Sequence, residues 1–136
     1  MSDDRADRLV TRGVTFSALF DGALGVLLLF APDEVGGMLV PPPGAALLVQ
    51  LLGAALLGFG VLNWIGRHHK LGGIYGRGIV ASNQMHCVVG ALVLVKHGLG
   101  AGGTTAYWIL CALYVVQALF FSQLMFGWRL GPFGRR

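Results

Sequence analysis

Four long runs of apolar residues dominate the chain, at about Gly13 to Ala31, Ala46 to Ile65, Gly76 to Val95 and Thr105 to Phe126. Each is close to the roughly 20 apolar residues that a helix needs to cross a hydrocarbon slab about 30 Å deep. The pattern predicts an all-α protein, an integral membrane four-helix bundle that forms one transmembrane domain over residues 1–136. Polar residues interrupt the runs near their middles: Asp21 in the first, His86 in the third and Gln117 in the fourth. A carboxyl group at mid-span is costly in lipid, so Asp21 is expected to face protein and to have a partner or a task.

Composition agrees with this pattern. The 136 residues are 55% hydrophobic and 12% charged, with a mean hydropathy of +0.71. Such a chain has too few charges to clothe a soluble globule, so its outer surface must face lipid. Spans and connectors use nearly the whole sequence, which places its function inside the bundle, on short loops, or with a partner. The first run does not read as a cleaved leader. It follows a mixed segment with Asp3, Asp4 and Asp7 beside Arg5, Arg8 and Arg12, contains Asp21, and lacks a small-x-small cleavage site before Pro32.

The basic residues predict orientation. Arg5, Arg8 and Arg12 precede the first span, Arg67, Lys70 and Arg77 flank the turn between the second and third, and Arg129, Arg135 and Arg136 follow the fourth. Only Lys96 falls on the opposite side. Both termini and the 66–76 loop are therefore expected to be cytoplasmic, with the 32–45 and 96–104 loops outside. Trp64, Tyr75 and Trp128 then fall at the inner interface, and Tyr107 and Trp108 at the outer one. The net charge of +4 is divided among three segments without a basic face. The bilayer, including its anionic lipids, is the expected partner, and no nucleic acid is.

Helical phase predicts which polar groups look inward. Gly13, Ser17, Asp21 and Gly25 recur every four residues and form a small-residue stripe suited to close helix contact. In the second span Gln50, Gly53, Ala54, Leu57 and Val61 form a stripe, and Asn63 is assigned to the inner end, in reach of headgroups or water. In the third, Ile79, Ser82, Asn83, His86 and Gly90 share a face; in the fourth, Tyr114, Gln117 and Phe121 stack beside Cys111, Ala118 and Ser122. At about 1.5 Å per residue, Asp21, His86 and Gln117 reach a similar depth. The expected site is thus Asp21, His86, Gln117, Asn83, Tyr114 and Ser17. Two readings stand: Asp21 accepts from His86 or Gln117 and only sets helix register, or the cluster binds a small lipophilic molecule or a proton.

Other chemistry is sparse. His68 and His69 lie in the inner loop and His97 at the opposite surface, so no two histidines can ligate one ion within a monomer, and a bis-histidine haem would need a dimer. No metal and no catalytic group are expected, and the cofactor is left unknown. Cys87 and Cys111 lie within spans without C-x-x-C spacing and read as small core residues rather than a redox pair. Pro32 to Pro43, ending in Pro-Pro-Pro, is expected to break the helix, with Val35 to Val40 apolar enough to lie at the outer interface. The 98–103 glycine stretch lacks the Gly-Lys-Ser/Thr ending of a phosphate-binding loop. His68-His69-Lys70 reads as a solvated turn.

Gly22-Ala-Leu-Gly-Val-Leu-Leu-Leu-Phe-Ala-Pro-Asp33 and Leu52-Gly-Ala-Ala-Leu-Leu-Gly-Phe-Gly-Val-Leu-Asn-Trp64 resemble the first two helices of small bacterial four-helix membrane proteins of the broad DoxX-like group. The likeness covers the span pattern of about three-quarters of the chain, through glycine-rich packing signatures. It implies the bacterial inner (plasma) membrane and an accessory component; some members of the group resemble subunits of quinone-linked sulfur oxidation. This chain departs from the group with Asp21-Gly22 in mid-helix, where those proteins often carry a basic residue late in helix one. The adopted expectation is a small binding or accessory subunit with a midplane polar site for a lipophilic ligand. The alternatives are a proton-linked carrier or channel using Asp21 and His86, and a membrane enzyme of quinone-linked redox type. The glycine stripes also predict a homo-oligomer or docking onto a larger membrane complex.

Overall fold

The computed structural model describes residues 2–39, 46–68 and 74–126. They form five helices: α1 (Ser2–Phe30), α2 (Pro32–Leu39), α3 (Ala46–Gly66), α4 (Ile74–Ala101) and α5 (Thr105–Phe126). Four of these are long and apolar enough to cross a membrane, over Arg5–Phe30, Ala46–Gly66, Gly76–Ala101 and Thr105–Phe126. The bundle carries its large apolar side chains outward, among them Leu47, Leu48, Leu92, Val93 and Leu119, and buries Ser17, Asp21, Asn63, Asn83 and Gln117. Water would reward the opposite arrangement, whereas a surrounding hydrocarbon rewards this one. It is the architecture of a multi-pass membrane bundle.

Two helix boundaries differ from the sequence reading. No proline or glycine precedes Gly13, and α1 accordingly begins at Ser2 instead of near residue 13. Helix α4 continues to Ala101, so the expected 96–104 loop shrinks to residues 102–104. Glycine is tolerated in the last turns of α4, and the helix stops where Gly102 adopts φ 75°, a conformation that side chains resist. Thr104 then caps α5: its hydroxyl accepts from the Tyr107 N–H at 3.2 Å, and its carbonyl accepts from the Trp108 N–H at 3.1 Å.

Pro32 does interrupt α1, but the chain turns directly into a new helix. Proline at the first position of α2 has no intrahelical N–H bond to lose, and Asp33 and Glu34 in its first turn complement the helix dipole. Gln50 of α3 donates from Nε2 to the Leu29 carbonyl at 3.2 Å, near the end of α1. The Pro41–Pro43 run, His69, Lys70, Trp128, Arg129, Arg135 and Arg136 lie outside the described residues, as does the side chain of Tyr75.

The spanning helices associate as two intimate pairs, α1 with α3 and α4 with α5. In the first pair, backbone meets backbone. A Cβ on Gly25 would stand 2.6 Å from the Leu57 nitrogen and 2.8 Å from the Gly53 oxygen, and one on Gly60 would stand 2.7 Å from the Gly22 nitrogen. These glycines permit the approach from which dispersion and polar contacts draw their strength in lipid. The pairs then meet along a seam filled by side chains, where Val14, Val80, Cys87, Phe121 and Leu124 form the apolar cluster.

The buried positions of α3 are Gly53, Leu56, Gly60, Asn63 and Gly66. This corrects the expected stripe: Gly53 is on it, while Ala54 and Val61 face outward. On α4 the buried face runs through Val80, Asn83, Cys87 and Ala91, with Ser82 exposed. The α1 and α5 faces follow the sequence reading, with Ser17, Asp21 and Gly25 buried on one and Cys111, Tyr114, Gln117 and Phe121 on the other. Tyr107, in the first turn of α5, is buried with its hydroxyl donating to the Leu94 carbonyl, and neighbouring Trp108 is exposed.

Candidate functional site

Adjacent contacts set the levels of side chains along the seam. Gly13 faces Phe120 and Phe20 lies edge-on to Tyr114 at a centroid distance of 6.4 Å. These contacts bracket Ser17 and Gln117, which therefore stand at one level on antiparallel α1 and α5. In the same way Phe59 stacks on His86 at 4.7 Å and Gly66 faces Ile79, bracketing Asn63 on α3 and Asn83 on α4. Because Gly60 packs on Ala18 and Gly22, the two halves share a level. Ser17, Asn63, Asn83 and Gln117, one polar residue from each spanning helix, form a layer across the bundle. Asp21 and His86 lie one turn beyond it.

Asn63 is the hub. It exchanges two hydrogen bonds with Asn83: Asn63 Nδ2 donates to Asn83 Oδ1 at 2.8 Å, and Asn83 Nδ2 donates to Asn63 Oδ1 at 2.7 Å. Asn63 Nδ2 also donates to Asp21 Oδ2 at 3.3 Å, and Asn83 Nδ2 donates to the Ile79 carbonyl at 2.8 Å. The network joins α1, α3 and α4 through groups that carry at most one charge, which limits the cost of burial. Two expectations are corrected here. Asp21 accepts from Asn63, not from His86 or Gln117, and Asn63 is fully buried instead of reaching headgroups or water. Depth counted from the end of α3 misplaces Asn63, since α3 ends early and α1 continues well past it.

His86 belongs to a second, aromatic group. Its ring stacks on Phe59 with an interplanar angle of 23°, and its Nε2 lies 3.2 Å from the Tyr114 hydroxyl. Phe20 completes the group from α1. All four spanning helices therefore contribute to each of two adjoining levels, one of short polar side chains and one of rings.

Ser17 and Gln117 complete the predicted set but do not bond each other. Ser17 is 1% exposed and Gln117 3% exposed, and Ser17 Oγ and Gln117 Oε1 have no hydrogen-bond partner. Buried polar atoms are nearly always paired, so these two oxygens, on α1 and α5, are the exceptions in the layer. The sequence reading missed Asn63 alone among the network residues. The heptad-like series Gly53, Leu56, Gly60, Asn63 carried the signal, since three small or apolar members of the close-packed face point to the fourth.

Cys87 and Cys111 are buried free thiols. Among the described residues no group of three histidine, cysteine or acidic side chains assembles as a metal site. At the Arg67 end of the bundle, the guanidinium lies 3.5 Å over the ring of Trp64, and Arg67 donates to the Trp64 carbonyl. This arrangement suits an amphipathic ring at a membrane boundary. No family model matches the chain, nor does any curated protein or solved structure.

Proposed function

We propose that the protein is a small lipophile-binding or accessory subunit of the bacterial inner membrane, with both termini cytoplasmic. Its site is the seam between the helix pairs, where Asp21 and Asn83, bonded to Asn63, and Ser17 and Gln117 offer polar groups, and His86 and Tyr114 offer rings. The observation that carries this reading is the unpaired state of Ser17 Oγ and Gln117 Oε1, deep in a layer to which every spanning helix contributes. A self-contained structural layer is expected to satisfy its own members. The DoxX-like resemblance of α1 and α3 supports an accessory role.

The test is the small-molecule content of protein purified in mild detergent, compared with Asp21→Asn. The amide replaces the carboxylate with similar shape, so the fold is expected to persist while the head-group contact changes. Mass spectrometry is expected to find a lipophilic molecule with the wild-type protein and at least about tenfold less with the variant, a difference of about 1.4 kcal/mol. Protein that is monomeric, free of small molecules and indifferent to the substitution would overturn the proposal.

The proposed orientation has its own check, helped by the burial of both native cysteines. An impermeant maleimide is expected to label His97→Cys on intact spheroplasts and Asp7→Cys only after lysis. Labelling in the reverse order would invert the topology.

A further inference from the structure

We infer that Asp21 is a proton-binding site: its Oδ1 takes and releases the proton, while Asn83, acting through Asn63, keeps Oδ2 a hydrogen-bond acceptor in both states. This site does not depend on whether the seam holds a lipophile. Asn83 Nδ2 donates to the Ile79 carbonyl at 2.8 Å and to Asn63 Oδ1 at 2.7 Å. Asn63 Nδ2 in turn donates to Asn83 Oδ1 at 2.8 Å and to Asp21 Oδ2 at 3.3 Å. Turning the Asn63 amide alone would set oxygen against oxygen and nitrogen against nitrogen in the reciprocal pair. Turning both amides would restore that pair but bring Asn83 Oδ1 against the Ile79 carbonyl, two acceptors with no proton between them. A backbone carbonyl of α4 therefore fixes the direction of the whole chain of bonds.

Asp21 consequently meets an N–H at Oδ2 whether it is charged or neutral. In the acid form the proton has its place on Oδ1, which bears no hydrogen bond among the described residues. Protonation adds one hydrogen to Oδ1 and removes one negative charge, and no bond of the network breaks or reverses. A carboxyl that serves as a proton site inside a membrane needs this tolerance of both charge states. No cation pairs with Asp21 among the described residues, so no ion pair locks it in one state. The titratable side chains around it are Cys87 of α4 and Tyr114 of α5, which feel its charge, and His86 of α4, hydrogen-bonded to Tyr114. From α3 it meets the neutral Asn63.

The experiment uses full-length protein in liposomes, made by cell-free synthesis with 15N-asparagine and 13C-carboxyl aspartate, and reads solid-state NMR. Asn63 and Asn83 are the only asparagines in the chain, and Asp21 is the one aspartate bonded to either among the described residues. Magnetisation passed from side-chain nitrogen to carboxyl carbon therefore isolates Asp21. From about pH 5 to about pH 9 that carbon is expected to move between its acid and carboxylate positions, while its dipolar coupling to the Asn63 nitrogen persists at both ends. Asn83→Ala frees the Asn63 amide to turn and accept from neutral Asp21. In that variant the coupling is expected to weaken at the acid end and to persist at the alkaline end.

A carboxyl carbon that holds one position across the range overturns the proton site. A coupling lost at either end in wild type overturns the fixed acceptor role of Oδ2. A coupling retained at both ends in Asn83→Ala overturns the assignment to Asn83. The wild-type titration decides the first two points even where Asn83→Ala does not fold.

Discussion

Asn63→Leu is expected to destabilise the protein by about 2–4 kcal/mol, more than any other single replacement of a polar residue in the bundle. Leucine leaves two partners behind. Asp21 loses its Asn63 bond, and Asn83 loses both halves of a reciprocal pair whose distances are 2.7 and 2.8 Å. Individual side-chain bonds between membrane helices average only about 0.6 kcal/mol, so the loss of attraction alone would be small. The larger cost comes from stranding buried amide and carboxyl groups in a medium that offers no substitute partner.

The double variant is the sharper test. Adding Asn83→Leu to Asn63→Leu removes one stranded group and is expected to recover about 1–2 kcal/mol, because apolar replacement of both partners is nearly neutral. Reversible unfolding in mixed micelles, run as a double-mutant cycle, measures the recovery. Strict additivity of the two losses would refute the hub role of Asn63.

The second large effect is expected at Gly60. One added methyl, in Gly60→Ala, would stand 2.7 Å from the Gly22 nitrogen, 2.9 Å from the Gly22 Cα and 3.0 Å from the Ala18 oxygen. All three are backbone atoms of a neighbouring helix, so no side chain can rotate away and α1 must separate from α3. Overpacking of this kind costs about 1–3 kcal/mol. Separation would also draw Asp21 away from Asn63, coupling the polar layer to the glycine contact. A methyl added at Gly58, on the same helix, would meet nothing within 4 Å. Gly58→Ala is therefore expected to be neutral or to stabilise by up to about 1 kcal/mol through helix propensity. Equal melting temperatures for the two variants would refute the close-contact assignment.

Much of the candidate site was legible from the periodicity of polar residues. The four-residue spacing of Ser17, Asp21 and Gly25 identified the buried face of α1, and Tyr114, Gln117 and Phe121 identified that of α5. In lipid, a polar side chain in mid-span has one inexpensive direction, and its phase then orients the helix. On α3 the same method failed. Apolar residues surround that helix on all sides, its lipid face is as hydrophobic as its packing face, and Gln50 was a poor guide because it lies near the helix end and is exposed. Asn63 would have been the right guide, but its position near the end of α3 assigned it to the boundary.

The medium, the number of spanning helices and the inward direction of Asp21 all follow from the order of residues alone, because the cost of desolvating polar groups acts on each helix separately. Which polar groups meet is settled only when the helices pack. Partner choice depends on the relative heights and rotations of different helices, and those follow from contacts such as Gly60 on Gly22 and from α3 ending short of α1. Such offsets of a few residues leave no trace in the periodicity of any one helix. They join Asp21 to Asn63 and leave the unpaired oxygens of Ser17 and Gln117 at one level of the seam.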